Sequence, residues 1–267
     1  MNLSETTKEV LDKQNQAEKE GRWNDHIDPV YHTNYIPIDQ AFSYEKTWYQ
    51  KIGYFFLKNA LITPYAFIAN HRWLKTEVIG RSNLNGISGP AIITSNHVNK
   101  LDSLAIGYAL GKKNIHYTVA EFNNMKCRLG SYMRAYGIMP IPTKASMMST
   151  FETQLKKYLD QGDWITFFPE CSEWWCYEKP RPYQIGAFHY ASKYLVPIIP
   201  IFITFKKTGQ FTKEGIEKRK FIVHILKPLY PNRYLPFKER KYDIKNKNEE
   251  VIWKCYYRFY NKKEKTI

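Results

Sequence analysis

His97 and Asp102 stand five positions apart in the segment SNHVNKLDS, directly after the apolar run GPAIIT. At that offset they do not share a helical face, but a turn between them can fold the carboxylate back onto the imidazole. An aspartate that accepts from one ring nitrogen fixes the tautomer and stabilises the imidazolium, leaving the other nitrogen free to take a proton from a hydroxyl. No serine nucleophile is needed if a bound acceptor brings its own hydroxyl. Taken alone, the two residues could equally be a locally packed histidine and a helix-capping aspartate.

Three further blocks accompany the pair. ITFFPECSEW runs an apolar strand into Glu170, Cys171 and Ser172, a carboxylate and a hydroxyl at a strand end where a polar acceptor group could be held. YGIMPIPTK places Gly137 before a short strand that ends in Thr143 and Lys144. Arg134, Lys144, Lys179 and Arg181 are candidates for contacting an acceptor phosphate, although each alone could be a solvated surface charge. VPIIPIFI reads as a buried or bulged strand near a sheet edge, because proline cannot donate to a ladder.

The elements that must carry these residues alternate between short β-branched runs and helical segments from Lys75 to about Leu235. That pattern predicts one α/β layered domain with a central mixed sheet flanked by helices, over residues 74–235. Residues 1–46 are polar, with no sustained apolar period, and read as an arm. Residues 236–267 read as a charged and aromatic C-terminal helix and tail. Between arm and domain, residues 47–73 form the most aromatic stretch of the chain, interrupted by Lys51, Lys58, Asn59 and Pro64. It reads as too broken for a spanning helix, which needs about 20 mostly apolar residues. A helix or helical pair lying in a membrane interface, or covering the core, is the expectation.

Composition narrows the partners. Forty Lys plus Arg against 25 Asp plus Glu give a net charge of +15, so the chain will seek a polyanion, either nucleic acid or an anionic lipid surface. No nucleic-acid motif appears. The four cysteines are irregularly spaced, which argues against a disulfide framework or a paired zinc site and fits a reducing cytoplasm. The first twenty residues carry no signal-peptide core.

In order and spacing, the four blocks from Ile92 to Ile203 resemble the glycerolipid acyltransferase family, which includes 1-acylglycerol-3-phosphate acyltransferases. Its Asn-His-x4-Asp block is matched by Asn96, His97 and Asp102, and its Val-Pro-Ile-x-Pro block by Val196–Pro200. The resemblance implies an acyl-CoA or acyl-carrier-protein donor, a membrane-lipid acceptor and no metal or cofactor. It makes His97 the general base and Asp102 its orienting carboxylate, with Gly137, Thr143, Lys144, Glu170, Ser172 and Arg181 seating the acceptor. A peripheral or monotopic place on the cytoplasmic face of an anionic membrane follows, with no nucleic acid as partner.

Two departures stand out. Thr143 and Lys144 occupy the place of the family's phosphate-binding Arg, and the family's Phe-Pro-Glu-Gly-Thr becomes Phe168, Pro169, Glu170, Cys171, Ser172. Lys does not replace Arg at a bidentate phosphate site. An acceptor without phosphate, such as a glycolipid, therefore stays open beside a lysophosphatidate-type one, as does a non-catalytic binder of anionic lipid or nucleic acid. Lys179, Arg181 and Gly186 are the expected substitutes for the missing phosphate contact.

Overall fold

Apolar runs buried on both sides build the sheet. A computed structural model describes residues 6–27, 34–111 and 114–262. Its strands are β1 (Glu77–Ile79), β2 (Ala91–Ser95), β3 (Ile115–Ala120), β4 (Ile138–Ile141), β5 (Trp164–Phe167), β6 (Ile198–Phe211) and β7 (Glu217–Ile225). They form one seven-stranded sheet in the order β1-β7-β6-β2-β5-β3-β4. From β6 through β4 the neighbours are parallel, and β7 runs antiparallel to β6, so the sheet is mixed as expected.

The helices are α1 (Lys8–Lys19), α2 (Trp48–Leu57), α3 (Thr63–Ile68), α4 (Asp102–Leu110), α5 (Arg128–Tyr136), α6 (Met148–Asp160), α7 (Gly186–Tyr194) and α8 (Phe237–Phe259). Alternation along β2 divides them between two apolar layers. Ala91 and Ile93 face the layer that contains α4, whereas Ile92 faces the layer that contains α6, α7 and α8. The second layer also takes Ile38 and Tyr44 from before the sheet and Ile244, Ile252 and Tyr256 from after it.

Four expectations are corrected. VPIIPIFI is not near an edge, since β6 lies between β7 and β2. Pro200 is tolerated there because its carbonyl accepts from Leu226 N, so its missing N–H faces the point where β7 has already ended. The arm is less featureless than its sequence: α1 forms under a Thr7 cap and buries Val10, Gln14 and Ala17 along one side. Asp102 opens α4 without capping it, because its carboxylate turns back to the preceding loop.

The fourth correction concerns residues 48–73, which form one helix of 26 residues and not a broken pair. A π turn at Lys58–Ile62 precedes Pro64 and absorbs its missing donor, with Thr63 Oγ1 donating to Lys58 O. By length and composition this helix is apolar enough to cross a membrane. Only Ile62, Ala69 and Asn70 are buried, while Trp48 (74% exposed), Phe55 and Phe56 (63% each) face outward. One side of the helix does cover the core, through Tyr54, Leu57, Ile62, Ala66, Ala69 and Trp73, and the other leaves a large exposed apolar surface of the kind that marks an interaction face.

Candidate active site

β2 delivers His97 to the C-terminal edge of the parallel strands, and Asn96 fixes the delivery. The Asn96 side chain continues the ladder beyond β2, with Nδ2 donating to Ile203 O (2.9 Å) and Oδ1 accepting from Ile203 N (2.8 Å). The chain then turns, and Asp102 Oδ2 accepts from Val98 N (2.6 Å), Asn99 N (3.0 Å) and His97 Nδ1 (2.9 Å). Because Oδ2 already accepts two backbone N–H groups, the ring must be the donor, which puts the proton on Nδ1 and leaves Nε2 able to accept.

Asp102 is buried, and the His97 side chain is 25% exposed. The ring stacks on Phe168 with centroids 4.4 Å apart. Burial pushes the imidazole pKa down, but the hydrogen bond and charge of Asp102, with the charge of Glu173, outweigh it and hold the pKa above the ordinary value.

Beneath this pair lies a buried network that no spacing reveals. Glu170 Oε2 accepts from His97 N (3.2 Å) and from Arg181 Nη2 (2.9 Å), while Oε1 accepts from Arg181 N (3.0 Å). Arg181 also donates to His97 O (3.3 Å), Ser172 Oγ (3.0 Å) and Trp23 O (3.1 Å). Its guanidinium lies 4.7 Å over the Trp174 ring, which stacks on Trp23. Glu170, Ser172 and Arg181 are thus gathered at the site, but each is buried and engaged, and they hold the His97 backbone. The arm contributes too, through the Trp23 carbonyl.

The remaining residues are placed elsewhere. Gly137 caps α5 at the start of β4, the opposite end of the sheet from His97; a Cβ there would meet Ile115 O at 2.8 Å, and φ is 108°. Thr143 and Lys144 follow β4, three strands from β2, which is roughly 14 Å at about 4.8 Å per strand. Both are exposed. Thr143 donates through N (2.6 Å) and Oγ1 (2.7 Å) to the buried carboxylate of Glu121, whose charge also faces that of Lys144. Those hydrogen bonds, with that of Ile38 N, outweigh burial and hold the Glu121 carboxyl below its usual range. Arg134 is spent on Asn124, Met125 and Ser131, Lys179 pairs with Glu18, and Gly186 opens α7.

Cys171 occupies the left-handed backbone region, with φ 66°, where the family block carries glycine. A side chain costs about 1–2 kcal/mol there, against the ~0.5–1 kcal/mol that glycine loses in chain entropy. Cys171→Gly is therefore expected to stabilise by roughly 0.5–1 kcal/mol, seen in calorimetry as a Tm rise of up to about 4 °C.

Comparisons with known proteins agree with this architecture. The family profile described as Acyltransferase matches residues 67–204, just over half of the chain. Among solved structures, the 1-acyl-sn-glycerophosphate (LPA) acyltransferase PlsC from Thermotoga maritima is similar, with a TM-score of 0.51 at 14% identity. The match covers 78% of this chain and 95% of that one. A search of the curated protein sequences found no match. The matched residues take in β1 to β5, the first half of β6 and the His97–Asp102 pair, and the chain belongs to the acyltransferase family.

Proposed function

We propose that this protein transfers a fatty acyl group from a thioester donor, acyl-CoA or acyl-carrier protein, to the hydroxyl of a lysophosphatidate-type glycerolipid in phospholipid biosynthesis. The observation that carries the reading is the His97 Nδ1–Asp102 Oδ2 hydrogen bond of 2.9 Å, anchored by two backbone amides.

In this mechanism His97 Nε2 takes the acceptor's hydroxyl proton as the oxygen attacks the thioester carbonyl. The tetrahedral adduct collapses, the carbon–sulfur bond breaks, and the imidazolium returns its proton to the leaving thiolate. An ester and a free thiol result, with no acyl-enzyme and no cofactor beyond the donor. Asp102 stabilises the imidazolium formed in between.

Acceptor and product are lipids, so the site must work at a membrane. The exposed aromatic side of the Trp48–Trp73 helix supports attachment there, and the +15 charge favours an anionic leaflet. We assign a peripheral or monotopic place on the cytoplasmic face.

The test is acyl transfer by the wild type in mixed micelles, with both donors and with lysophosphatidate, glycerol 3-phosphate and neutral acceptors. Absence of transfer to every acceptor by folded protein would remove the proposal. Where transfer occurs, kcat/KM is expected to rise with pH as His97 deprotonates, with a midpoint above the ~6.5 of an ordinary imidazole. A midpoint at or below that value would contradict the Asp102 coupling.

A further inference from the structure

The helix of residues 48–73 is fastened to the domain near both ends. Lys46 Nζ, just before it, donates to Arg134 O of α5 (3.2 Å), and Asn70 Nδ2 donates to Leu104 O of α4 (3.2 Å). Between these points Leu57, Ile62 and Ala69 pack into the apolar layer of α4. A helix held this way lies along the domain, with Trp48, Ile52, Phe55, Phe56 and Phe67 on its outer side. One such helix sets how deep the domain sits on a bilayer but leaves the domain free to roll about the helix axis. A second contact beside it stops the roll.

α5 is the neighbouring element, since α2 and the π turn pack against it. β3 and β4 are parallel, so α5 must return from the C-terminal edge of the sheet to the opposite one. Its first turns therefore stand at the same edge as His97. Leu129, Tyr132 and Tyr136 are spaced i, i+3, i+7 and form one stripe. Tyr136, at the far end, packs in the layer that the 48–73 helix covers, stacks on Tyr117 with centroids 5.2 Å apart and donates to Ser103 O (3.2 Å). The near end leaves that layer for solvent, with Leu129 46% and Tyr132 39% exposed. The stripe thus comes out on the side of the sheet that carries the exposed helix.

Charge accompanies it. Lys126 and Arg128 are exposed beside Leu129, and Arg128 lies one helical turn before Tyr132. No salt bridge holds either cation among the described residues, and α5 carries no acidic residue to repel an anionic surface. An aliphatic and an aromatic side chain with cations at their margin settle at headgroup depth, the apolar bodies among the upper acyl chains and the charges on phosphates. A second copy of this chain is a poor occupant, because it would bring the same cations, on a chain of charge +15, face to face.

We propose that Lys126, Arg128, Leu129 and Tyr132 form a second membrane contact, made with an anionic lipid bilayer. Together with the 48–73 helix it fixes the roll of the domain and keeps the sheet edge that bears His97 beside the lipid surface. This rests on the membrane-attached acyltransferase reading above.

The test is flotation with phosphatidylcholine vesicles, with and without phosphatidylglycerol. The four side chains are exposed, so their replacement leaves the core intact. Partitioning onto phosphatidylglycerol vesicles should fall roughly tenfold in Leu129→Ser/Tyr132→Ser and in Lys126→Gln/Arg128→Gln, the latter only when phosphatidylglycerol is present. Tyr230→Ser/Tyr234→Ser, which removes two other exposed rings from the loop between β7 and α8, should bind as the wild type does. A fluorophore on Cys127, between the two cations, should shift its emission to the blue when vesicles are added; Cys171→Gly removes the other exposed thiol. Transfer to an acceptor in vesicles should fall with the binding, while transfer to a monodisperse short-chain acceptor holds. Flotation lost in Phe55→Ser/Phe56→Ser but unchanged in both α5 variants would overturn the contact and leave the helix as the whole attachment. A blue shift that follows protein concentration without vesicles would overturn the lipid assignment and give the surface to a second copy of the chain. Wild-type protein that shows the α5-dependent flotation but transfers no acyl group would sink the enzymatic reading and leave the contact standing.

Discussion

His97→Ala is expected to lower kcat by roughly 10²–10⁴-fold with little change in stability, because it removes the proton acceptor from a side chain that is only partly buried. Asp102→Asn should approach the same loss by a different route. All the hydrogen bonds of the Asp102 carboxylate converge on Oδ2, while Oδ1 is buried with no hydrogen-bond partner. An asparagine can keep its oxygen toward the three donors and place its NH2 where Oδ1 was. The turn then survives, at about 1–3 kcal/mol for an unpaired buried donor. What disappears is the charge that stabilises the imidazolium. The pH–rate midpoint should move to lower pH while the plateau falls, and steady-state kinetics across pH on both variants would show it. An Asp102→Asn protein with a wild-type plateau would mean the carboxylate only shapes the loop.

Arg181→Ala is the second large effect, on stability. Arg181 and Glu170 are each about 1% exposed in their side chains and 2.9 Å apart. Removing the arginine leaves a buried carboxylate without its partner, which costs about 3–5 kcal/mol. The carbonyls of His97 and Trp23 lose a donor as well. Denaturant unfolding should show a large drop in midpoint. The double replacement Glu170→Gln/Arg181→Met should recover much of it, because it removes the uncompensated charge. If Arg181→Ala and the double variant lost the same stability, packing on Trp174 would be the arginine's main contribution, not the ion pair.

The contact between His97 and Asp102 was legible because both residues lie within one short turn, where residue type and offset limit the geometry. The layered fold was legible for a similar reason: the central strands β2 and β5 and the first half of β6 are short apolar runs. Arg181 was visible as a charge but not as a buried one, since its partners at Glu170, Ser172 and Trp23 come together only through the loop after β5. The Thr143–Glu121 contact joins the ends of two adjacent strands, β3 and β4, and leaves no periodic trace. Lys51, Lys58 and Pro64 overstated the break in the 48–73 helix, because π turns absorb a proline and long lysine stems reach water from an apolar face. Pro200 misled about β6 because what matters is where its neighbour ends, which the local sequence does not state.

The Trp23 carbonyl also sets an order of events. It meets Ser172 and Arg181 across 149 and 158 residues of chain. During synthesis the arm emerges first, yet it has nothing to close against until the loop after β5 has been made. A contact so distant along the chain repays its loop-closure entropy late. The parallel strands can therefore associate while the histidine's supporting network is still unfinished. Completion of the network then waits for the segment at Trp23 to dock onto residues made well after it.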